Sequence, residues 1–323
     1  MGIDLLACCP GIWRNRLLGL LLLRRFSYDL LMPWTLPTAT AAALLLFPLL
    51  TLAFAGERFS QAVSRLPLIV RLVLPSLAAV PYGLVAYGTP YFRWSFVAIY
   101  AGLPVILVLL LWYATRHDPQ QRGNWRDFIV LAALGVVVEF RLFEPAWPPH
   151  LGFFNRLILL DIGLYGFLAV RQLRNVGFNL VPRLHDVKYG LRELALYAPI
   201  AVPLGLGLGF LHFHAYLPSL GKFALQWVSI FAFVAVLEET YFRGWIQNLL
   251  ERRLGRNGSL LVTAIVFGLS HFNKGATYFN WRYVLMASLA GIFYGRAWRE
   301  EHRLVASAIT HASVDTIWSI WLR

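Results

Sequence analysis

The sequence predicts an all-α polytopic membrane helix bundle of about eight to ten transmembrane helices. Three observations carry that expectation. First, 59% of the 323 residues are hydrophobic and 14% are charged, with mean hydropathy +0.61. A soluble domain carries about 25% charged residues, so folding this chain in water would leave large apolar patches exposed. Second, several apolar runs approach or exceed the roughly 18–20 residues that cross about 30 Å of hydrocarbon. They lack the alternation of a barrel strand, and a helix satisfies its own backbone N–H and C=O groups in lipid. Third, the cations sit in short gaps between those runs.

The elements follow in order. Up to about Leu31, Arg14, Arg16, Arg24 and Arg25 flank the short apolar run Leu17–Leu23. Seven apolar residues do not span a bilayer, so this stretch is expected to be an interfacial amphipathic arm. Spans are then expected near 36–55, 68–89, 94–115, 127–143 and 152–170. After a polar gap, a second set covers 191–211, 223–248, 259–272, 282–297 and 303–321. The fourth, eighth and ninth of these are short. No internal repeat or low-complexity tract is visible.

The net charge is +13 and the isoelectric point about 10.1. Because the arginines lie between apolar runs, this basicity reads as topology and headgroup contact, and nucleic-acid binding is not expected. The gaps 171–192, 249–258 and 296–303 are arginine-rich, whereas the gaps between them hold only Lys222, or Lys274 and Arg282. Positive-inside logic places the rich gaps in the cytoplasm. Counting back through the first set then leaves the Arg-rich N-terminus outside, a conflict that keeps the first half's topology open. The gap after residue 170 is the best boundary: residues 1–170 form an N-terminal membrane extension with its arm, and 171–323 a core whose earliest start is near 160. Cys8 and Cys9 are adjacent and show no metal spacing, so they read as structural or incidental.

Ionisable groups inside spans are costly and are functional candidates by default. In the first half, Glu139 and Asp161 lie nearest membrane depth and are expected to pair with an arginine or a hydroxyl. Three clusters in the last third carry more. In Glu238-Glu239-Thr240-Tyr241-Phe242-Arg243, two adjacent carboxylates point about 100° apart on a helix and so take different tasks. Glu239 and Arg243 share a face as an i,i+4 ion pair, which leaves Glu238 on the face of Phe242 and Trp245. A desolvated carboxylate there suits a general base; the alternative is a structural salt-bridge cluster. Phe267-Gly268-Leu269-Ser270-His271 taken alone reads as structural. His311 and Asp315, four apart, can orient a tautomer, bind a metal or donate to an oxyanion, or form a plain core pair.

Glu-Glu-x-x-x-Arg, Phe-x-x-x-His and His-x-x-x-Asp, in that order on membrane helices, together resemble the CPBP family of CAAX-prenyl-protease and bacteriocin-processing-type intramembrane proteases. The resemblance covers about residues 160–323. It implies that Glu238 and His271 activate water for attack on a peptide carbonyl, that His311 and Asp315 form the oxyanion side, and that Glu239 with Arg243 braces the site. The last position is often Asn in the prenyl-protease branch. An aspartate donates only when protonated, so the oxyanion contact falls mainly to His311, with Asp315 acting on His311.

Glu238, His271 and His311 also make a His₂Glu set known from catalytic zinc sites, and the family has been described as metalloproteases. No His-Glu-x-x-His is present to force zinc, so a metal-free glutamic-type mechanism is favoured, with no cofactor. The expected partners are a protein or peptide substrate in or at the membrane and the lipid bilayer itself; the oligomeric state is left open. Nothing marks a prenyl-cysteine pocket, and relatives are linked to peptide maturation or to release of proteins with C-terminal sorting tails. Arg-rich, Lys-poor composition fits a GC-rich bacterial genome, so a multi-pass protein of the bacterial inner membrane is expected. A non-catalytic scaffold or immunity protein and a transporter are the competing classes, but residues 1–160 and 161–323 show no related halves.

Overall fold

The computed structural model describes residues 35–275 and 278–323, and the regular elements among them are all helical. The N-terminal arm and both cysteines lie outside the described residues. Helix α1 is Leu36–Ser64, α2 Leu68–Ala86, α3 Trp94–His117, α4 Trp125–Glu139 and α5 Phe153–Val170. Helix α6 is Leu184–Gly207, followed by α7 (220–254), α8 (256–269), α9 Trp281–Arg299 and α10 Leu304–Trp321. Gly255, at φ 70° and ψ 177°, separates α7 from α8. That left-handed backbone suits glycine and turns the chain sharply.

Five helical stretches are long and apolar enough to cross a membrane: Leu36–Ser64, Leu68–Ala86, Trp94–His117, Phe153–Val170 and Leu220–Leu269. The last includes both α7 and α8. Helices α6, α9 and α10 reach 24, 19 and 18 residues but carry polar side chains that lower their hydropathy.

Local chemistry sets the helix starts. Thr35 and Thr38 form a reciprocal cap on α1, and Asn124 with Asp127 forms another on α4. Each satisfies backbone N–H groups that have no partner within the helix. The apolar part of α1 ends at a break at Ala55 (φ −140°, ψ 31°), after which Glu57 and Arg58 begin a polar stretch.

The arginine-rich gaps gather at one end of the bundle. Arg171, fully buried, links Asp127 (Nε to Oδ1, 2.9 Å) and Asp118 (Nη2 to Oδ2, 2.7 Å), joining the α3–α4 loop to the end of α5. Arg252 donates to the Gln121 carbonyl at 2.8 Å, and Arg303 pairs with Asp186 at 2.7 Å. Trp298 and Arg256 carry the network to residues 176 and 299. Helix α1 reaches this end at Ala53, whose carbonyl accepts from the Leu180 amide. The turn between α2 and α3 closes the opposite end, where the Tyr82 hydroxyl meets the Tyr91 carbonyl and the Arg93 amide. The first five helices thus traverse the bundle alternately. Thr35 stands at the end opposite the arginines.

The two halves pack through α7. The Tyr241 hydroxyl donates to the Leu131 carbonyl at 2.8 Å, and Trp245 stacks on Phe167 with centroids 5.0 Å apart. Gly163 lies against the Trp245 ring, where a Cβ would collide with it. The helix carrying the paired glutamates is therefore seated directly on the N-terminal half.

Candidate active site

The glutamates occupy Val236–Glu239, a single α-helical turn between two π-helical segments, Phe231–Ala235 and Thr240–Gln247. Wide π turns inside a helix recur at functional sites because they rotate the side chains that follow. Here Glu239 and Arg243 still meet: Nε stands 3.1 Å from Oε2 and Nη1 donates to Oε1 at 3.2 Å, with both side chains fully buried. Nη2 donates to the Gly291 carbonyl of α9 at 3.0 Å, and the guanidinium lies 4.6 Å from the Phe267 ring centroid.

Glu239 also takes part in a contact beyond the expected brace. Its Oε1 is 2.7 Å from Nδ1 of His311, and the Ser307 hydroxyl bonds its Oε2. A carboxylate on Nδ1 fixes the imidazole tautomer and its orientation, so Nε2 becomes the nitrogen turned to the remaining acids. Nε2 stands 3.4 Å from Asp315 Oδ2 and 4.0 Å from Glu238 Oε2. The ring stacks on Tyr294 at 4.5 Å and 14°. Two helices, α7 and α10, thereby bring Glu238, Glu239, Arg243, His311 and Asp315 together.

Glu238 differs from its neighbour. Its side chain is 29% exposed, and its buried Oε2 has no hydrogen-bond partner among the described residues. It lies within coulombic reach of Lys274, His311 and His271. His271 follows the end of α8, where Nδ1 is 2.8 Å from the Phe267 carbonyl. A carbonyl accepts only, so Nδ1 carries the proton and Nε2 is left as a free acceptor in the neutral ring. Tyr283 stacks on this imidazole at 5.0 Å, and the Phe267 ring touches both imidazoles, at 4.9 Å to His271 and 5.8 Å to His311. Gly268 makes the placement possible: a Cβ there would collide with Ser288 Oγ and the Val284 carbonyl, so α8 approaches α9 closely only with glycine.

Sequence reading did not single out Ser307, Tyr294 or Tyr283. Ser307 precedes His311 by four residues, the same interval that joins His311 to Asp315, and that spacing was the available signal. The two tyrosines have no such signature, because their contacts arise between helices. Of the first-half acids, Glu139 faces Asn273, Lys274 and Arg141. Asp161 departs from expectation, since both its oxygens are buried without a hydrogen-bond partner among the described residues.

His311 turns Nε2 toward Glu238 Oε2 at 4.0 Å, and its Nδ1 lies on the Glu239 carboxylate, a contact that also orients metal-ligating imidazoles. Among the described residues, no three His, Cys, Asp or Glu side chains group as a metal would require.

Helices of membrane-crossing length surround a buried carboxylate–imidazole cluster, which defines an integral membrane protein with a candidate active site within its bundle. Residues 220–317 match the family model described as Type II CAAX prenyl endopeptidase Rce1-like. The match runs from the start of α7 into α10 and includes all six residues from Glu238 to Asp315 that the motifs single out. It is narrower than the 160–323 that the motifs suggest. Comparisons with curated proteins and with solved structures find no match.

Proposed function

We propose that the chain is a glutamic-type intramembrane endopeptidase that hydrolyses a peptide bond of a membrane-associated protein, with a C-terminally tailed precursor as the substrate class. The observation that carries the reading is Glu238: a partly exposed carboxylate with an oxygen unpartnered among the described residues, 4.0 Å from His311 Nε2 and within coulombic reach of His271, two imidazoles whose Nδ1 atoms are already held. Such a group is free to take a proton from water, whereas Glu239, fully bonded, is not.

In this mechanism Glu238 and His271 Nε2 accept from a water, whose oxygen adds to the peptide carbonyl carbon. His311, held among Glu239, Asp315 and Glu238, offers Nε2–H to the developing oxyanion. The C–N bond then breaks, and the proton taken from water passes through Glu238 to the leaving amine. Asp315 orients His311 and balances the imidazolium that donates from Nε2, and Arg243 holds Glu239 aimed at Nδ1. The arginine-rich end is assigned to the cytoplasm by the positive-inside rule, in a bacterial inner membrane.

Terminal-peptide mass spectrometry of membranes expressing the wild type or His271→Ala tests the reading. New protein termini should depend on His271 and should persist after dialysis against o-phenanthroline. Identical termini from both proteins would refute proteolysis. Loss on dialysis with recovery on adding zinc would instead favour the metal-dependent mechanism.

A further inference from the structure

At the arginine-rich end, between the two halves, lies an open cavity of about 290 Å³ lined by Pro119, Gln120, Gln121, Arg174, Asn175 and Arg252. Two cations face it without a carboxylate partner among the described residues. Arg252 donates to the Gln121 carbonyl at 2.8 Å, to the Gln121 amide oxygen at 3.0 Å and to the Arg174 carbonyl at 3.1 Å, all neutral acceptors. Among the described residues, the exposed Arg174 guanidinium has no hydrogen bond or ion pair, although its backbone is held by Gln121 and Asn248.

Asp118 and Glu251, the acids within coulombic reach of Arg252, form no hydrogen bond or ion pair with either cation among the described residues. Asp118 is bonded by Arg171 and by the Arg122 and Gly123 amides. Asp127 is bonded by Arg171 and the Asn124 amide. Glu251 stands 3.9 Å from both Arg256 and His302. Three non-glycine residues around the cavity, Gln121, Gln172 and Asn175, hold positive φ of 55°, 51° and 62°. Such backbone is costly and persists only where the surroundings impose it, so the rim is built rather than loose. Gln121 fixes it, with its amide donating to the Gln172 carbonyl at 2.7 Å.

We propose that this cavity binds the phosphate group of an anionic glycerophospholipid. The guanidinium fork matches a phosphate's paired oxygens. The cavity lies just past the ends of α3 and α5, both of membrane-crossing length, which is headgroup level. Basic pockets between membrane helices take anionic headgroups there. A lipid seated between residues 119–121 of the first half and Arg252 of α7 would join the two halves at the foot of the helix that carries Glu238.

The test uses the purified full chain in a neutral detergent, with retained lipid counted by native mass spectrometry and Tm recorded beside it. Phosphatidylglycerol should be retained and should raise Tm, while phosphatidylcholine does neither. Arg174→Gln removes a side chain without bonds, so folding is kept, and retention should fall about tenfold, the loss of one charge-assisted contact. Arg174→Lys should restore part of it. Competition by inorganic phosphate would support the shared phosphate chemistry. Binding of inorganic phosphate without phosphatidylglycerol, equal retention of the two lipids, or unchanged retention in Arg174→Gln would overturn the proposal.

Discussion

Glu238→Gln is expected to lower peptide cleavage by about 10²–10⁴-fold, the usual contribution of a positioned general base, while unfolding stays within about 0.5 kcal/mol of wild type. The two expectations have one origin. Glu238 is 29% exposed and its buried oxygen bonds nothing, so an isosteric amide leaves no partner stranded. The amide nevertheless cannot accept the proton of water. Cleavage of a membrane-embedded reporter, with detergent-phase unfolding followed in parallel, separates the two effects. Retained activity would remove the proposed base.

Arg243→Met should behave in the opposite way, with stability lost before chemistry is considered. Arg243 is fully buried, neutralises Glu239 and donates to the Gly291 carbonyl. Removing it strands a buried carboxylate and an acceptor in α9, a change that costs about 3–5 kcal/mol. The companion change Glu239→Gln in the same chain should recover part of that loss, because the stranded charge is gone. Activity should not return, since His311 would lack the carboxylate that fixes Nδ1. Denaturant unfolding of the single and double variants reads the recovery, and a double variant no more stable than Arg243→Met would contradict it.

Much of the helix pattern was legible because lipid-facing helices are written in long apolar runs. The expected span 94–115 corresponds to Trp94–His117, and 152–170 to Phe153–Val170. The mismatches share a cause: helices continue where hydropathy stops. Helix α6 begins at Leu184, seven residues before the expected 191, because Asp186 accepts from the Arg183 amide at its start and Glu193 pairs with Arg296 at 2.9 Å. Polar residues satisfied by one another hold a helix that apolar counting cuts short. Likewise 249–258, read as a gap, is helical on both sides of Gly255.

The site's components were readable from i,i+4 intervals, which is why Glu239–Arg243 and His311–Asp315 appear as expected. What spacing could not supply was the contact between helices. Glu239 was assigned to Arg243 alone, yet its nearest imidazole comes from α10, 72 residues away. The π-helical turns on either side of Val236–Glu239 were equally hidden, since no local residue choice announces a widened turn.

The measurement that bears most directly on the shared cluster is proximity between α7 and α10 in native membranes. With Cys8 and Cys9 replaced by serine, the pair Glu238→Cys and Asp315→Cys should be joined by a short bifunctional thiol reagent. A control pair with the cysteine at exposed Phe233 instead of 238 should not. Efficient linkage of the first pair alone is the predicted result. Equal labelling of both pairs without linkage of the first would mean that the acid and the imidazole helix do not meet, and the hydrolytic centre would be contradicted.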